Sequence, residues 1–202
     1  MVFKFKTETW VRVYTGIKAE NLQEFIEGLK IVPPGSLLYH FYINLFNYHN
    51  LPTEYPNSFA HWLATNGYEP LAAKLSIIDP TRYYDLEKLR EDLLKNLSEY
   101  EGEIKTCCRP FYFLNIHRYV LDTGRIAEDF DQFIEGIEKS SVSSLFYHLI
   151  TCRIDKRTLI NDYSEWLVQQ GYAKKAEVID FIDLYVLNLY EVKKAILEIL
   201  RR

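Results

Sequence analysis

The sequence predicts a mainly α-helical protein made by internal duplication. Two copies of an approximately five-helix unit, each opened by a short extended segment, are expected to pack about a pseudo-twofold axis into one globule. Two observations lead to this prediction: the same motifs occur in both halves, and apolar residues follow helical spacing between them. The predicted boundaries are a first repeat at 1–100, a linker at 101–110 and a second repeat at 111–202. With 48% hydrophobic residues, the chain can form a substantial core.

The duplication is predicted from motifs that recur in the same order. From Phe3 to His40, each matched residue of the first copy corresponds to a residue of the second copy at one constant offset in number. The later motifs match once a four-residue deletion in the second copy is allowed. The matched positions are Phe3 and Phe5 with Phe111 and Phe113, Thr15-Gly16 with Thr123-Gly124, Phe25-Ile26-Glu27-Gly28 with Phe133-Ile134-Glu135-Gly136, Tyr39-His40 with Tyr147-His148, Asn57 with Asn161, Trp62-Leu63 with Trp166-Leu167, and Asp79 with Asp183.

The opening segment of each copy has the alternation of a strand. In the first copy Phe3, Phe5, Val11 and Val13 alternate with polar residues, and Thr15-Gly16 is a turn signal. We therefore expect a short strand that ends at this turn.

The helices are predicted from caps and apolar spacing. Asn21 and Asp129 are expected to cap the first helix of each copy, and a serine, Ser36 or Ser144, to cap the second. The second helix is apolar almost all round, which is typical of a buried central helix.

The third helix of each copy is expected to begin at its asparagine, Asn57 or Asn161, acting as N-cap, and to bury Trp62 or Trp166. A short fourth helix and a fifth helix opened by Asp85 follow. Residues 48–56, where Asn50, Pro52 and Pro56 cluster, are expected to be disordered, as are the termini.

These motifs resemble those of an uncharacterised bacterial tandem-repeat family, a domain of unknown function. Its units run FxF, TGxxAxxLxEF, SxxYH, NDFxxW and LAxxLxxID. The first copy here reads Thr15-Gly16-Ile17-Lys18-Ala19-Glu20-Asn21-Leu22-Gln23-Glu24-Phe25, and the second keeps Asn161-Asp162-Tyr163-Ser164-Glu165-Trp166. The resemblance covers nearly the whole chain and implies the repeat architecture. It implies no activity, cofactor or catalytic residue.

Charge and composition exclude several classes of function. Up to Tyr100 there are 10 basic against 12 acidic residues, and after it 14 against 16, so neither half has the basic excess of a nucleic-acid-binding protein. No window approaches a membrane span, and the amino terminus has no apolar stretch typical of a signal peptide. The three cysteines cannot form a complete disulfide framework. We therefore expect a cytoplasmic protein that binds neither nucleic acid nor membrane.

The sequence contains no phosphate-binding glycine loop, no nucleophile elbow and no zinc-type spacing of cysteine and histidine. The best candidate site is therefore formed by Tyr39, His40, Tyr147 and His148, because a polar pair on a buried helix must find partners. If the two histidines met near the pseudo-axis with Glu20 and Glu128, or with Glu27 and Glu135, they could hold a divalent metal or act as a general base. The alternative is that each histidine bonds backbone within its own copy and is purely structural.

Two functions from different classes remain. The first is a non-catalytic cytoplasmic interaction or adaptor module, without a cofactor, that binds a protein partner or itself as a homodimer. It is favoured by the aromatic content of 3 Trp, 16 Tyr and 12 Phe, which could supply an interface. The second is a small-molecule or metal-dependent enzyme or sensor with the Tyr-His pairs at its centre.

Overall fold

The computed structural model describes residues 1–46, 55–102, 106–184 and 187–202. Its central feature is a pair of long antiparallel strands, β1 (Phe3–Asn21) and β2 (Thr106–Ala127). Their register runs from Phe3 opposite Ala127 to Asn21 opposite Thr106. We call this two-stranded sheet the ribbon.

The prediction of a mainly α-helical fold is wrong, because the chain is mixed α and β. The two strands are 19 and 22 residues long, whereas the sequence predicted only short extended segments. The second strand also begins at Thr106, inside the predicted linker. The backbone groups of each segment pair with the other strand, which lies in the other half of the chain. The structure does not establish a duplicated helical unit.

The two Thr-Gly motifs are irregularities within the strands, where the sequence analysis expected turns. Register shifts occur next to Thr15-Gly16 and opposite Thr123-Gly124, and both glycines have positive φ. The Thr15 hydroxyl donates to the Phe113 carbonyl at 2.7 Å, and the Thr123 hydroxyl donates to the Phe5 carbonyl at 2.6 Å. A β-bulge thus absorbs the extra residues while pairing continues on both sides.

Helices connect and cover the ribbon. Between the strands lie α1 (Leu22–Ile31), α2 (Pro34–Tyr42), a 3₁₀ turn (Ile43–Phe46), α3 (Ser58–Thr65), α4 (Glu69–Ser76), a 3₁₀ turn (Pro80–Arg82) and α5 (Leu86–Ser98). After β2 lie α6 (Phe130–Lys139), α7 (Val142–Phe146), a π-helical turn (Tyr147–Thr151), α8 (Cys152–Lys156), α9 (Asp162–Gln169), α10 (Ala173–Asp180) and α11 (Leu189–Arg201). The segment 48–56, predicted to be disordered, lies outside the described residues up to position 54.

Most of the predicted caps are present. The side chain of Asn21 accepts from the Glu24 amide, and Asp85 caps α5. The serine caps were wrong. Pro33 precedes α2, so Ser36 lies inside the helix, and Ser141 rather than Ser144 caps α7. Proline at the first helical position needs no amide partner, which moves the helix start upstream of Ser36.

The core is formed by exchange of apolar side chains between the two halves. Phe3 and Phe5 of β1 pack on helices that follow β2, with ring centroids of Phe3 and Phe133 5.1 Å apart. Phe111 of β2 packs on helices that precede it, 5.2 Å from Phe25. Each strand therefore completes the core of the other half, and the halves do not meet as two separately closed helical units.

Two helical glycines make this exchange possible. A Cβ atom on Gly136 would overlap the Phe5 ring, and one on Gly28 would lie 2.5 Å from the Phe113 ring. Neither position has room for a side chain, so each glycine provides the space in which a phenylalanine of the opposite half packs.

Candidate functional site

His40 lies on α2 and is 4% exposed. Its Nε2 atom accepts a hydrogen bond from the Leu114 amide of β2 at 2.9 Å. The ring packs 4.7 Å from Phe111 and 5.4 Å from Phe59, between centroids. Nδ1 of His40 is buried and has no hydrogen-bond partner among the described residues.

His148 lies in the π-helical turn and is 1% exposed. Its Nε2 atom accepts from the Lys6 amide of β1 at 2.9 Å, which matches the contact of His40 in the other half. Nδ1 of His148 lies 2.7 Å from Asp162 Oδ2, and Lys156 Nζ lies 2.7 Å from Asp162 Oδ1. His148 therefore belongs to a His-Asp-Lys series that His40 lacks.

These contacts determine the protonation of both rings. A backbone amide can only donate, so Nε2 of each histidine must be unprotonated and Nδ1 must carry the hydrogen. Burial lowers the pKa of His40 to about 3. Burial also lowers the pKa of His148, although the hydrogen bond to Asp162 opposes this effect. Both rings are neutral at physiological pH.

The tyrosines beside the histidines lie at the edge of the core. Tyr39 is 8% exposed, and its hydroxyl lies at the outer hydrogen-bond limit, 3.5 Å from Arg12 Nη1. Tyr147 is 7% exposed, and burial raises its pKa to about 12. Its ring face lies 5.9 Å from Lys6 Nζ.

The glutamates considered as partners of the histidines lie on the surface instead. Glu20 pairs with Lys18, Glu27 with Lys30, and Glu135 with Lys139. Glu128 is also exposed. The acidic partner of His148 is Asp162, at the first position of α9, which the sequence analysis missed. The sequence feature that could have indicated this partner is an acidic residue directly after the capping Asn161.

The other recurrent residues hold helices to strands or cap helices. Trp62 Nε1 donates to the Arg109 carbonyl at 2.7 Å, and Trp166 Nε1 donates to the Met1 carbonyl at 2.8 Å. The tryptophans are 6% and 3% exposed. The side chains of Asn57 and Asn161 accept amides of the first turns of α3 and α9.

A second buried polar cluster lies at the middle of the ribbon. Glu8 is 4% exposed and accepts hydrogen bonds from Trp10 Nε1, from Thr151 Oγ1 and, twice, from Arg118. Arg118 also bonds Asp155 in bidentate fashion, at 3.0 and 3.1 Å. The sequence pattern did not predict this cluster. Glu8 lies between Lys6, Trp10 and Arg12 on the alternate positions of the strand, so the alternation of apolar residues at Phe3, Phe5, Val11 and Val13 placed it on the solvent side.

Within the described ranges, no group of three or more histidine, cysteine or acidic side chains is arranged to hold a metal ion. In the same part of the chain, no helix is both long and apolar enough to cross a bilayer.

The chain is similar to a known family and to a solved structure. A model described as a family of unknown function, DUF5752, matches residues 1–201. Among solved structures, the chain is similar to OrfY from Thermoproteus tenax, with a TM-score of 0.87 and 29% identity over 100% of this chain and 95% of that one. No curated protein matches.

Proposed function

The chain belongs to DUF5752, a family of unknown function, and on that premise we propose that it is a non-catalytic cytoplasmic interaction module that associates with a second copy of itself through the ribbon. The observation that carries the proposal is an uncharged, largely apolar strand face turned toward solvent. We call it the outer ribbon face and define it as Thr9, Val11, Val13, His117, Tyr119 and Leu121.

Strand alternation places this face opposite the inner side of the ribbon, which is buried at Glu8 and Ile116 but exposed at Tyr14 and Val120. Between Lys6 and Tyr14 the register is regular, so successive side chains point to opposite sides. Glu8 and Ile116, on the inner side, are 4% and 5% exposed. A solvated sheet face normally carries polar residues. Here the four outward apolar side chains are 41 to 54% exposed: Val11 50%, Val13 41%, Tyr119 54% and Leu121 51%.

None of these six residues is lysine, arginine, aspartate or glutamate, which favours an identical copy as the occupant. A twofold interface brings the same patch against itself, so any charged residue near the axis would face its own like charge. The face also contains sequence-matched residues from both halves, Val11 with Tyr119 and Val13 with Leu121. A stable interface buries about 800 Å² per partner. Six residues offer less, so we expect a weak, concentration-dependent dimer.

The geometry of the candidate site supports a non-catalytic role. Nε2 of His40 and of His148 is used to accept a strand amide, and both rings are at most 4% exposed. Neither histidine can bind a metal through Nε2 without leaving that amide unsatisfied in the core. The buried thiol of Cys152 has a pKa raised far above its usual value by burial, so it is a poor nucleophile.

We also propose that residues 1–100 and 111–202 are two related halves joined by 101–110. This proposal is supported by contacts that recur at matched positions. Three kinds of hydrogen bond occur twice: histidine to a strand amide, threonine to a strand carbonyl, and tryptophan to a backbone carbonyl near the start of a strand.

Site-specific photocrosslinking tests the association. A benzophenone side chain placed at Val11 of the full chain should yield a covalent dimer on irradiation, whereas the same group at Ile31, which is 69% exposed on α1, should not. In sedimentation velocity, Val13→Glu with Leu121→Glu should weaken dimerisation at least tenfold, and Ile31→Glu should leave it unchanged. A chain that stays monomeric up to about 1 mM, the weak end of measurable affinity, would contradict self-association.

A further inference from the structure

A groove lies away from the ribbon, where the segment after α4 meets the segment after α10. Its volume is about 480 Å³, within the roughly 300–1,000 Å³ of ligand-binding clefts. The two walls are sequence-matched segments, because Ile77 and Asp79 correspond to Phe181 and Asp183. We call it the acidic groove.

The rim of the acidic groove is unusually apolar. Ile77 is 78% exposed and Phe181 is 81% exposed, more than any other large apolar side chain described except Met1. Both contribute to the groove. These two large apolar side chains are exposed at matched positions, at the mouth of a concave surface. Such exposed apolar surface is characteristic of a protein-binding site.

The groove is also negatively charged. Asp79, Asp180 and Asp183 line it, and none of its eight lining residues is basic. Asp79 Oδ1 accepts from the Thr81 amide and hydroxyl at 2.8 and 2.7 Å. Asp180 Oδ1 accepts from Asn161 and Ser164 at 2.6 and 2.7 Å. Because these bonds orient two of the carboxylates before any ligand arrives, little order is lost on binding.

Two arginines lie near the groove, and Arg82 offsets part of its charge. Arg82 Nε is 3.7 Å from Asp79 Oδ2, but the Arg82 side chain is 82% exposed, so a cationic ligand can compete with it for this carboxylate. Arg153 is buried beneath the groove, where its Nη1 donates to the Thr81 carbonyl at 3.0 Å. The cavity that reaches Arg153 is only about 10 Å³, the size of a single water molecule. A ligand in the groove therefore meets carboxylates rather than guanidinium groups.

We propose that the acidic groove binds a short segment of a partner protein in which a lysine or arginine is flanked by apolar residues. The cation would pair with the carboxylates that line the groove, and the apolar residues would cover Ile77 and Phe181. The apolar contacts would supply most of the affinity, and the ion pairs would select a basic residue at that position of the ligand. This inference rests on the proposed role as an interaction module, but it uses a different surface and a different partner.

A peptide selection tests whether the groove binds basic peptides, and it does not require that the natural partner be identified. A random twelve-residue phage-display library is selected on the immobilised full chain, and enriched peptides are synthesised and measured by fluorescence anisotropy. We expect enrichment of sequences with lysine or arginine beside an apolar residue. Their affinity should fall as salt is raised from about 50 to 500 mM, because ionic screening weakens the pairs.

Two sets of variants assign the binding to the groove. Asp79→Asn with Asp183→Asn removes two charges but retains an oxygen that can accept from Thr81, so the loop should stay folded. It should weaken peptide binding at least tenfold, as should Ile77→Ser with Phe181→Ser. The matched controls are Glu128→Gln with Asp131→Asn, which removes two exposed charges elsewhere, and Ile31→Ser. Both should bind as the unsubstituted chain does, and thermal melting checks that all variants fold.

Enriched peptides without basic residues, equal binding to the groove variants, or no enrichment at all would overturn the acidic groove. The dimerisation test on the outer ribbon face distinguishes failure of the groove proposal from failure of the proposed function. If dimerisation depends on Val13 and Leu121 while no peptide binds the groove, only the groove proposal is wrong. If neither surface binds, the interaction module itself is contradicted.

Discussion

His40 and His148 occupy matched positions in the two halves, but only one has a second polar partner. Each accepts a strand amide through Nε2, His40 from Leu114 and His148 from Lys6. At Nδ1 they differ, because His148 meets Asp162 whereas His40 has no partner among the described residues. Ser58 stands at the position that corresponds to Asp162, the first residue of its helix.

The difference shows which part of the arrangement the fold requires. The shared bond satisfies a strand amide next to the core, where an unmet donor would cost about 1–3 kcal/mol. The acidic partner occurs only beside His148, so the fold does not require it for the histidine to accept the strand amide. The helix around it differs as well, because α2 is regular through His40 and the matched segment is a π-helical turn at Tyr147–Thr151. A shared structural bond with one variable partner is the pattern expected of a packing residue.

The tryptophans should behave alike even where the histidines differ. Trp62→Ala and Trp166→Ala should each lower the free energy of unfolding by about 3–5 kcal/mol, because each empties a large buried site and frees a strand-end carbonyl. Chemical denaturation measures both. The controls His61→Ala and Val168→Ala, at exposed positions of α3 and α9, should stay within about 0.5 kcal/mol. A loss below about 1 kcal/mol in only one tryptophan variant would show that the halves are not equivalent here.

Acid should destabilise the protein through His40. Its pKa is about 3 in the folded chain and about 6.5 in the unfolded chain. The unfolded state therefore binds more protons between these values, and stability present above pH 6.5 is lost as pH falls toward 3. Between pH 7 and 4.5 the His40 contribution amounts to about 2–3 kcal/mol. The pKa of His148 is also lowered, so it acts in the same direction.

His40→Gln isolates this effect, because glutamine can still accept from the Leu114 amide and does not titrate. Chemical denaturation measures the free energy of unfolding at pH 7 and at pH 4.5. The loss between these two pH values should be smaller in His40→Gln than in the unsubstituted chain, by about 2–3 kcal/mol. His61→Gln, at an exposed position, should follow the unsubstituted chain. An identical pH dependence in His40→Gln would mean that the His40 ring is solvated.

The smallest changes in stability are expected when Asp162 and Ser58, the residues that differ between the two histidine sites, are exchanged. Asp162→Ser leaves Nδ1–H of His148 without its acceptor and should cost about 1–3 kcal/mol. Asp162→Asn, which retains an acceptor oxygen, should cost less. Ser58→Asp should raise the pKa of His40, since a nearby carboxylate favours the protonated ring. An NMR titration of the imidazole nitrogens measures the shift, and an unchanged His40 pKa would show that residue 58 does not reach the ring.

Local features of the chain were predictable because they depend on neighbours in sequence. Asn21 and Asp85 cap their helices, since a side-chain oxygen two or three residues before an amide suffices. The Thr-Gly pairs were placed correctly as special backbone positions but interpreted wrongly as turns. A glycine with positive φ fits a turn and a bulge equally well, and only the partner strand distinguishes them.

The polar partners in the core were less predictable. Asp162 is one residue beyond a predicted cap, and Glu8 is one of many acidic residues. Their burial depends on side chains of other structural elements, His148 for Asp162, and Arg118 and Thr151 for Glu8. A carboxylate is stable in such a place only when donors from several elements converge on it.

By itself, the sequence determined the positions of the recurrent motifs, the apolar faces of most helices and the lack of a basic excess in either half, since each follows from composition or local spacing. Only the tertiary structure decided that the opening segments are long strands, that they pair with each other and that each packs into the opposite half. The physical reason is that strand pairing is non-local. Alternation indicates that a segment can form a strand, but its length and its partner are decided by which backbone groups and which cavities, such as those beside Gly28 and Gly136, remain to be filled.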